Sequence, residues 1–168
     1  MADTFVKIAT VTVGSGGAAN VTFSSIPATY TDLQLVLSGR GTTSAVDTDV
    51  TFSINSSTSN FSYRLLQGNG SAASSQNGST TRAGFIPAAT ATASTFGSIQ
   101  YYFPNYTSSN YKSISADTVN ENNVTAVTME LDAILWSNTA AITSIALTPS
   151  AGNFAQYSTA TLYGIKNS

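Results

Sequence analysis

The sequence predicts an all-β fold: two antiparallel sheets packed as a sandwich, jelly-roll-like and almost without helix. Apolar residues recur with a period of two in about nine or ten short runs, with Gly, Pro, Asn and Ser clusters between them. No stretch sustains a 3.6-residue period with caps at its ends. A length of 168 residues suits one domain with a real core. Residues 1–168 are therefore read as a single sandwich, with residues 1–6 as an extended N-terminal arm.

Phe5 to Val13 opens as a strand, with Ala9, Val11 and Val13 on one face and Ile8, Thr10 and Thr12 on the other, because alternate strand side chains face opposite ways. Gly14-Ser15-Gly16-Gly17 then reads as a hairpin loop, since no Lys-Ser/Thr or following helix completes a phosphate-binding loop. Val21 and Phe23 form the next short strand. Pro27 closes it by restricting Ile26 to extended geometry. Leu33, Leu35 and Leu37 follow, two apart, as one core face. Val50, Phe52 and Ile54 alternate with Thr51 and Ser53 as a half-exposed strand. Asp47 and Asp49 before it have the spacing of calcium ligands. They lack the Gly turn and later bidentate acid of a calcium loop and read as solvated loop acids.

Phe61 to Leu66 is another short strand, and Gly68 to Thr81, small and polar throughout, reads as a long flexible loop or a loop ordered only by a neighbour. Ala83 to Ile86 adds a strand, and Pro87 to Ser94 a loop. Ile99, Tyr101 and Phe103 alternate with Gln100 and Tyr102, which places Tyr102 outside. Tyr111 to Val119 is weakly patterned. Thr125 to Leu135 is the longest regular run, with Val127, Met129, Leu131, Ala133 and Leu135 read as inward and Thr128, Glu130, Asp132 and Trp136 as outward. On that parity, truncating Leu131 to Ala is expected to cost about 2–5 kcal/mol. Ile142 to Leu147 and Ala160 to Ile165 close the fold.

Charged residues are only 8% of the chain, against about 25% in typical domains. Six basic residues and a net charge of −2 cannot neutralise a phosphate track, which argues against nucleic acid as a partner. With no Cys and no His, the chain lacks disulfides, thiolate nucleophiles, the usual general base and the commonest metal ligand. Met1 to Phe5 lacks the basic and apolar regions of a signal peptide, and no run approaches the ~18 apolar residues of a membrane span. Assembly without crossing a membrane is expected, and the Asn-x-Ser/Thr triplets at Asn20, Asn55, Asn60, Asn69, Asn77, Asn105 and Asn123 read as unmodified.

Four stretches add a further expectation: I-A-T-V-T-V-G-S-G-G-A-A-N-V-T-F-S-S-I-P-A-T-Y-T-D-L (Ile8 to Leu33), the small-residue text at Thr92 to Gly97, L-W-S-N-T-A-A-I-T-S-I (Leu135 to Ile145) and A-G-N-F-A-Q-Y-S-T-A-T-L-Y-G-I (Ala151 to Ile165). Together these resemble a family of small β-rich virion proteins of tailed bacteriophages. The resemblance implies a non-enzymatic structural protein without cofactor. The role it implies is a capsid decoration or cement protein on the capsid exterior, assembled in the host cytoplasm and bound between subunits of the major capsid protein. Self-association is expected as a homo-oligomer, a trimer rather than a dimer. Similar modules serve in tail fibres, so the alternative is a receptor-binding module that recognises host surface polysaccharide.

No residue is assigned a catalytic or metal-binding role. Glu130 and Asp132 share one strand face about 6 to 7 Å apart, from a rise of ~3.3 Å per residue, near the separation of glycosidase acid pairs. Adjacent outward acids on one strand are more simply a solvent face. Tyr102, Tyr106, Tyr111 and Trp136 are expected outside the core, where Tyr and Trp concentrate in interfaces. The arm residues Ala2, Asp3, Thr4, Phe5 and Val6 are expected to add to a neighbour's sheet edge.

Overall fold

The structure is a computed structural model that describes residues 4–123 and 128–166. The described residues contain no helix and form twelve strands. These are β1 (Phe5–Thr12), β2 (Val21–Phe23), β3 (Asp32–Gly39), β4 (Asp47–Ile54), β5 (Phe61–Gly68), β6 (Ala73–Gly78), β7 (Arg82–Pro87), β8 (Gly97–Phe103), β9 (Lys112–Asn120), β10 (Thr128–Trp136), β11 (Ile145–Pro149) and β12 (Thr159–Ile165). They build an eight-stranded sheet in the order β1-β12-β3-β8-β9-β10-β5-β6 and a four-stranded sheet in the order β2-β11-β4-β7. Every strand pair is antiparallel.

The core lies between the sheets, where the period-two apolar sets meet. Leu33, Leu35 and Leu37 of β3 and Ile99, Tyr101 and Phe103 of β8 face Val21, Phe23, Val50, Phe52 and Ile54 of the smaller sheet, and all are buried. Phe52 is the hub: its ring meets Phe61, Tyr101 and Phe103 edge-on at centroid distances of 5.3, 6.1 and 6.5 Å, the arrangement the ring quadrupoles favour. Gly84 lets the sheets approach at the β7 end. Its φ is +93°, and a Cβ there would sit 2.1 Å from Thr118 Oγ1, so any side chain would push β7 off β9.

Four expectations are corrected. The parity of β10 is reversed: Glu130, Asp132, Ile134 and Trp136 point inward, whereas Met129 and Leu131 are 64% and 54% exposed. A strand has a single parity choice. Inward Ile134 and Trp136 fill the space beside Phe61, whose ring stacks on Trp136 with centroids 6.1 Å apart, while Arg82 meets the acids. Val127 lies outside the described residues. Leu131→Ala is accordingly expected to cost less than about 1 kcal/mol in chemical denaturation, because an exposed side chain leaves no cavity.

Gly68 to Thr81 is largely ordered: β6 pairs with β5 from Tyr63↔Gly78 to Gly68↔Ala73. Asn69 makes the turn, its Oδ1 accepting from the backbone N–H of Ser71 at 3.0 Å and of Ala72 at 2.8 Å. Backbone pairing of this kind needs no apolar side chains. Asp47 and Asp49 lie within β4 and are half-buried. At the N-terminus, Phe5 and Val6 belong to β1 and pair with Ile165 and Gly164 of β12, and Thr4 O accepts a hydrogen bond from Lys166 N at 2.9 Å. These three residues are tied into the sheet; Ala2 and Asp3 lie outside the described residues.

Candidate functional site

The outer face of the larger sheet divides into two regions. Across β1, β12, β3 and β8 it presents hydroxyls and amides, such as the Thr10–Thr161 and Gln34–Gln100 pairs, each 3.0 Å apart. Across β9, β10 and β5 it turns apolar. Register places Met129 beside Val119 and Leu131 beside Leu66, and all four side chains are more than half exposed. A groove of about 490 Å³ runs over them and is bounded by Gln67, Ala73 and Asp117. The adjoining edge strand β6, Ala-Ser-Ser-Gln-Asn-Gly, is exposed from Ala73 to Asn77. It carries no charge and no Pro, the devices that usually guard a free edge.

The inner face behind this strip is polar. Arg82 reaches across from β7: its Nε donates to Asp49 Oδ1 at 2.6 Å and its Nη2 to Glu130 Oε1 at 2.8 Å. Its guanidinium carbon lies 4.5 Å from the centroid of the Phe85 ring. Asp132 stands two residues from Glu130 on the same face. Burial, followed by the charge of Glu130, pushes its carboxyl up to about 7. Burial also raises the Glu130 carboxyl and outweighs the opposing pull of Arg82. The described residues hold no group of three or more carboxylates placed to hold a metal ion.

The expected interface residues scatter. Tyr102 lies on the outer face, 38% exposed, with its hydroxyl donating to Asp32 Oδ2 at 2.7 Å; that bond is the first cause of its raised pKa. Tyr111 is exposed in the approach to β9. Tyr106 and Trp136 are buried, contrary to expectation. The Tyr106 hydroxyl finds the Pro27 carbonyl, so the ring can enter the core without stranding a polar group. Trp136 follows the β10 parity.

No family model and no curated protein matches the chain. Among solved structures, a fructose complex of fructofuranosidase from Schwanniomyces occidentalis shows 7% identity over 99% of this chain and 35% of that chain, with a TM-score of 0.26. A fructosylnystose complex of a variant of that enzyme gives 9% identity over 97% and 33%, with a TM-score of 0.25. The CBM2 module of an evolved Dit from Lactobacillus casei BL23 phage J-1 gives 8% identity over 89% and 69%, with a TM-score of 0.19. This chain spans about a third of the length of the fructofuranosidases it matches. Likenesses at these scores carry no argument about fold or function.

Sequence reasoning missed the strip of Leu66, Val119, Met129 and Leu131, and also the exposed Tyr157 in the loop before β12. One signal for the strip was present. Ile134 and Trp136 share parity with Glu130 and Asp132, so β10 has two apolar half-faces, and only one can be core.

Proposed function

We propose that the protein is a non-enzymatic structural component of a tailed-phage virion, a decoration or cement protein on the capsid exterior that binds between major capsid protein subunits. The observation that carries this reading is the exposed apolar strip on β5, β9 and β10. Apolar side chains gathered on a sheet face and bordered by polar residues are characteristic of a protein interface. The uncharged β6 edge beside it suits backbone pairing with a neighbour. The sequence resemblance to small virion proteins supplies the choice of partner, and assembly as a homotrimer belongs to the same reading.

With so few charges, attachment through this face depends on apolar and backbone contacts. Raising salt from about 0.1 to about 1 M shortens the screening length to ~3 Å and should leave capsid binding nearly unchanged. Leu131→Asp should weaken binding at least about tenfold, as loss of a central contact does, with little change in thermal stability. Co-sedimentation with capsids lacking the protein measures both. Normal binding by Leu131→Asp, or release by salt alone, would refute the docking face. Binding to host polysaccharide instead of capsid would favour the receptor-binding alternative.

A further inference from the structure

The acids behind the strip outnumber their cations. Glu130 and Asp132 are 5% and 1% exposed, and one guanidinium, that of Arg82, faces them while also serving Asp49. Glu130 Oε2 and both carboxylate oxygens of Asp132 have no hydrogen-bond partner among the described residues. With every group ionised, Arg82 contributes one positive charge against the three negative charges of Asp49, Glu130 and Asp132. Asp47 on β4 adds a fourth, its own carboxyl raised by burial and then by Asp49. Among the described residues the other neighbours bond no second cation to the pair: β8 contributes the buried Tyr101, and β9 sets Ala116 opposite Asp132 and the buried Thr118 opposite Glu130 and adds the repulsion of outward-facing Asp117. The buried Lys112 of β9 donates instead to the carbonyls of Ser108 and Asn110, and β5 sets Leu65 opposite Asp132. Two carboxylates in one poorly solvated space do not both ionise readily, and they titrate as a pair.

We propose that Glu130, Asp132 and Arg82 form a proton-operated clamp between the two sheets. With a proton on the acid pair, the end of the sandwich where β7 packs on β9 and β10 is closed; loss of that proton loosens it. The sign follows from linkage. An acid whose pKa is higher in the folded state than in the unfolded chain, where Asp titrates near ~3.9, favours folding at low pH. That advantage is lost as pH rises from about 4 to about 7, and the curve is flat above. The backbone of β10 also carries Met129 and Leu131 outward, so loosening it would disturb the proposed docking face. This last step alone rests on the docking reading.

The test compares wild type, Asp132→Asn and the exposed-acid control Asp117→Asn in chemical denaturation from pH 4 to pH 8. The wild-type folding constant, relative to Asp132→Asn, should fall on the order of a hundredfold to a thousandfold across that range, at up to tenfold per pH unit for one proton. Asp117→Asn should keep the wild-type slope. Parallel wild-type and Asp132→Asn curves would overturn the clamp. Should Asp132→Asn fail to fold, infrared spectra of the wild type decide: a protonated-carboxyl band at pH 6 that disappears by pH 8 is expected, and its absence at pH 6 would overturn the proposal. Hydrogen exchange should show β7 and β10 losing protection before β3 and β12 as pH rises, whereas uniform loss would rule out local opening. Loss of capsid binding at pH 8 with the clamp signature present supports the link to docking. Unchanged binding with the signature present would overturn that link and leave the clamp standing.

Discussion

Arg82→Ala should destabilise the protein by about 3–5 kcal/mol at pH 8, the loss seen when one partner of a buried ion pair is removed, and by clearly less at pH 5. The guanidinium is the only cation bonded to Asp49 and Glu130 among the described residues, and its side chain is 13% exposed. Removing it leaves three negative groups facing one another across the sheets. With the lowering pull of Arg82 gone, the carboxyls of Glu130 and Asp132, already raised by burial, are raised further, and the site escapes the penalty by taking up protons. At pH 5 the protons are available and the loss shrinks. At pH 8 the full cost appears, a large part of the ~5–15 kcal/mol that stabilises a domain. Denaturant titrations at both pH values measure it. Equal losses at the two would assign Arg82 a packing role over Phe85 instead of an electrostatic one. Arg82→Met, which keeps much of the side-chain volume, should show the same pH dependence if charge is the cause.

The strands that the sequence made legible are those in which one parity holds most of the large apolar residues and the other only a single one, Val36 in β3 and Tyr102 in β8. In β3 and β8, Leu33, Leu35 and Leu37 and Ile99, Tyr101 and Phe103 leave only one way to bury apolar area, and all six are buried. In β10 both parities carry large apolar groups, and the deciding partners come from elsewhere in the chain: Phe61 of β5 under Trp136 and Arg82 of β7 against Glu130. Composition also misjudged β6, since a hairpin fixed by the Asn69 turn and by backbone pairing has no side-chain signature beyond that Asn. The apolar strip and the buried acids stayed hidden for one shared reason. Each is the opposite face of the same parity error, so reversing β10 reveals both together.

Trp136→Ala should cost about 3–5 kcal/mol, as large aromatic truncations in a packed core do. The ring is 1% exposed. It stacks on Phe61 at an interplanar angle of 17° and lies 6.0 Å below Lys112 Nζ. That ammonium is itself buried, donating to the carbonyls of Ser108 at 2.7 Å and Asn110 at 2.6 Å, and burial lowers its pKa. Deleting the indole therefore opens a cavity and removes the π-face next to a poorly solvated charge. Trp136→Phe should cost only about 1–2 kcal/mol, because a ring still meets Phe61 and the indole Nε1 that is lost has no hydrogen-bond partner among the described residues. Paired with Leu131→Asp, the substitution separates stability from docking. Trp136→Ala should lower the denaturation midpoint yet bind capsids normally wherever it remains folded, and Leu131→Asp should do the reverse. If Trp136→Ala were nearly neutral for stability while Leu131→Ala cost several kcal/mol, the parity of β10 would be the opposite one. Met129 and Leu131 would then belong to the core, and neither the docking face nor the acid clamp would exist.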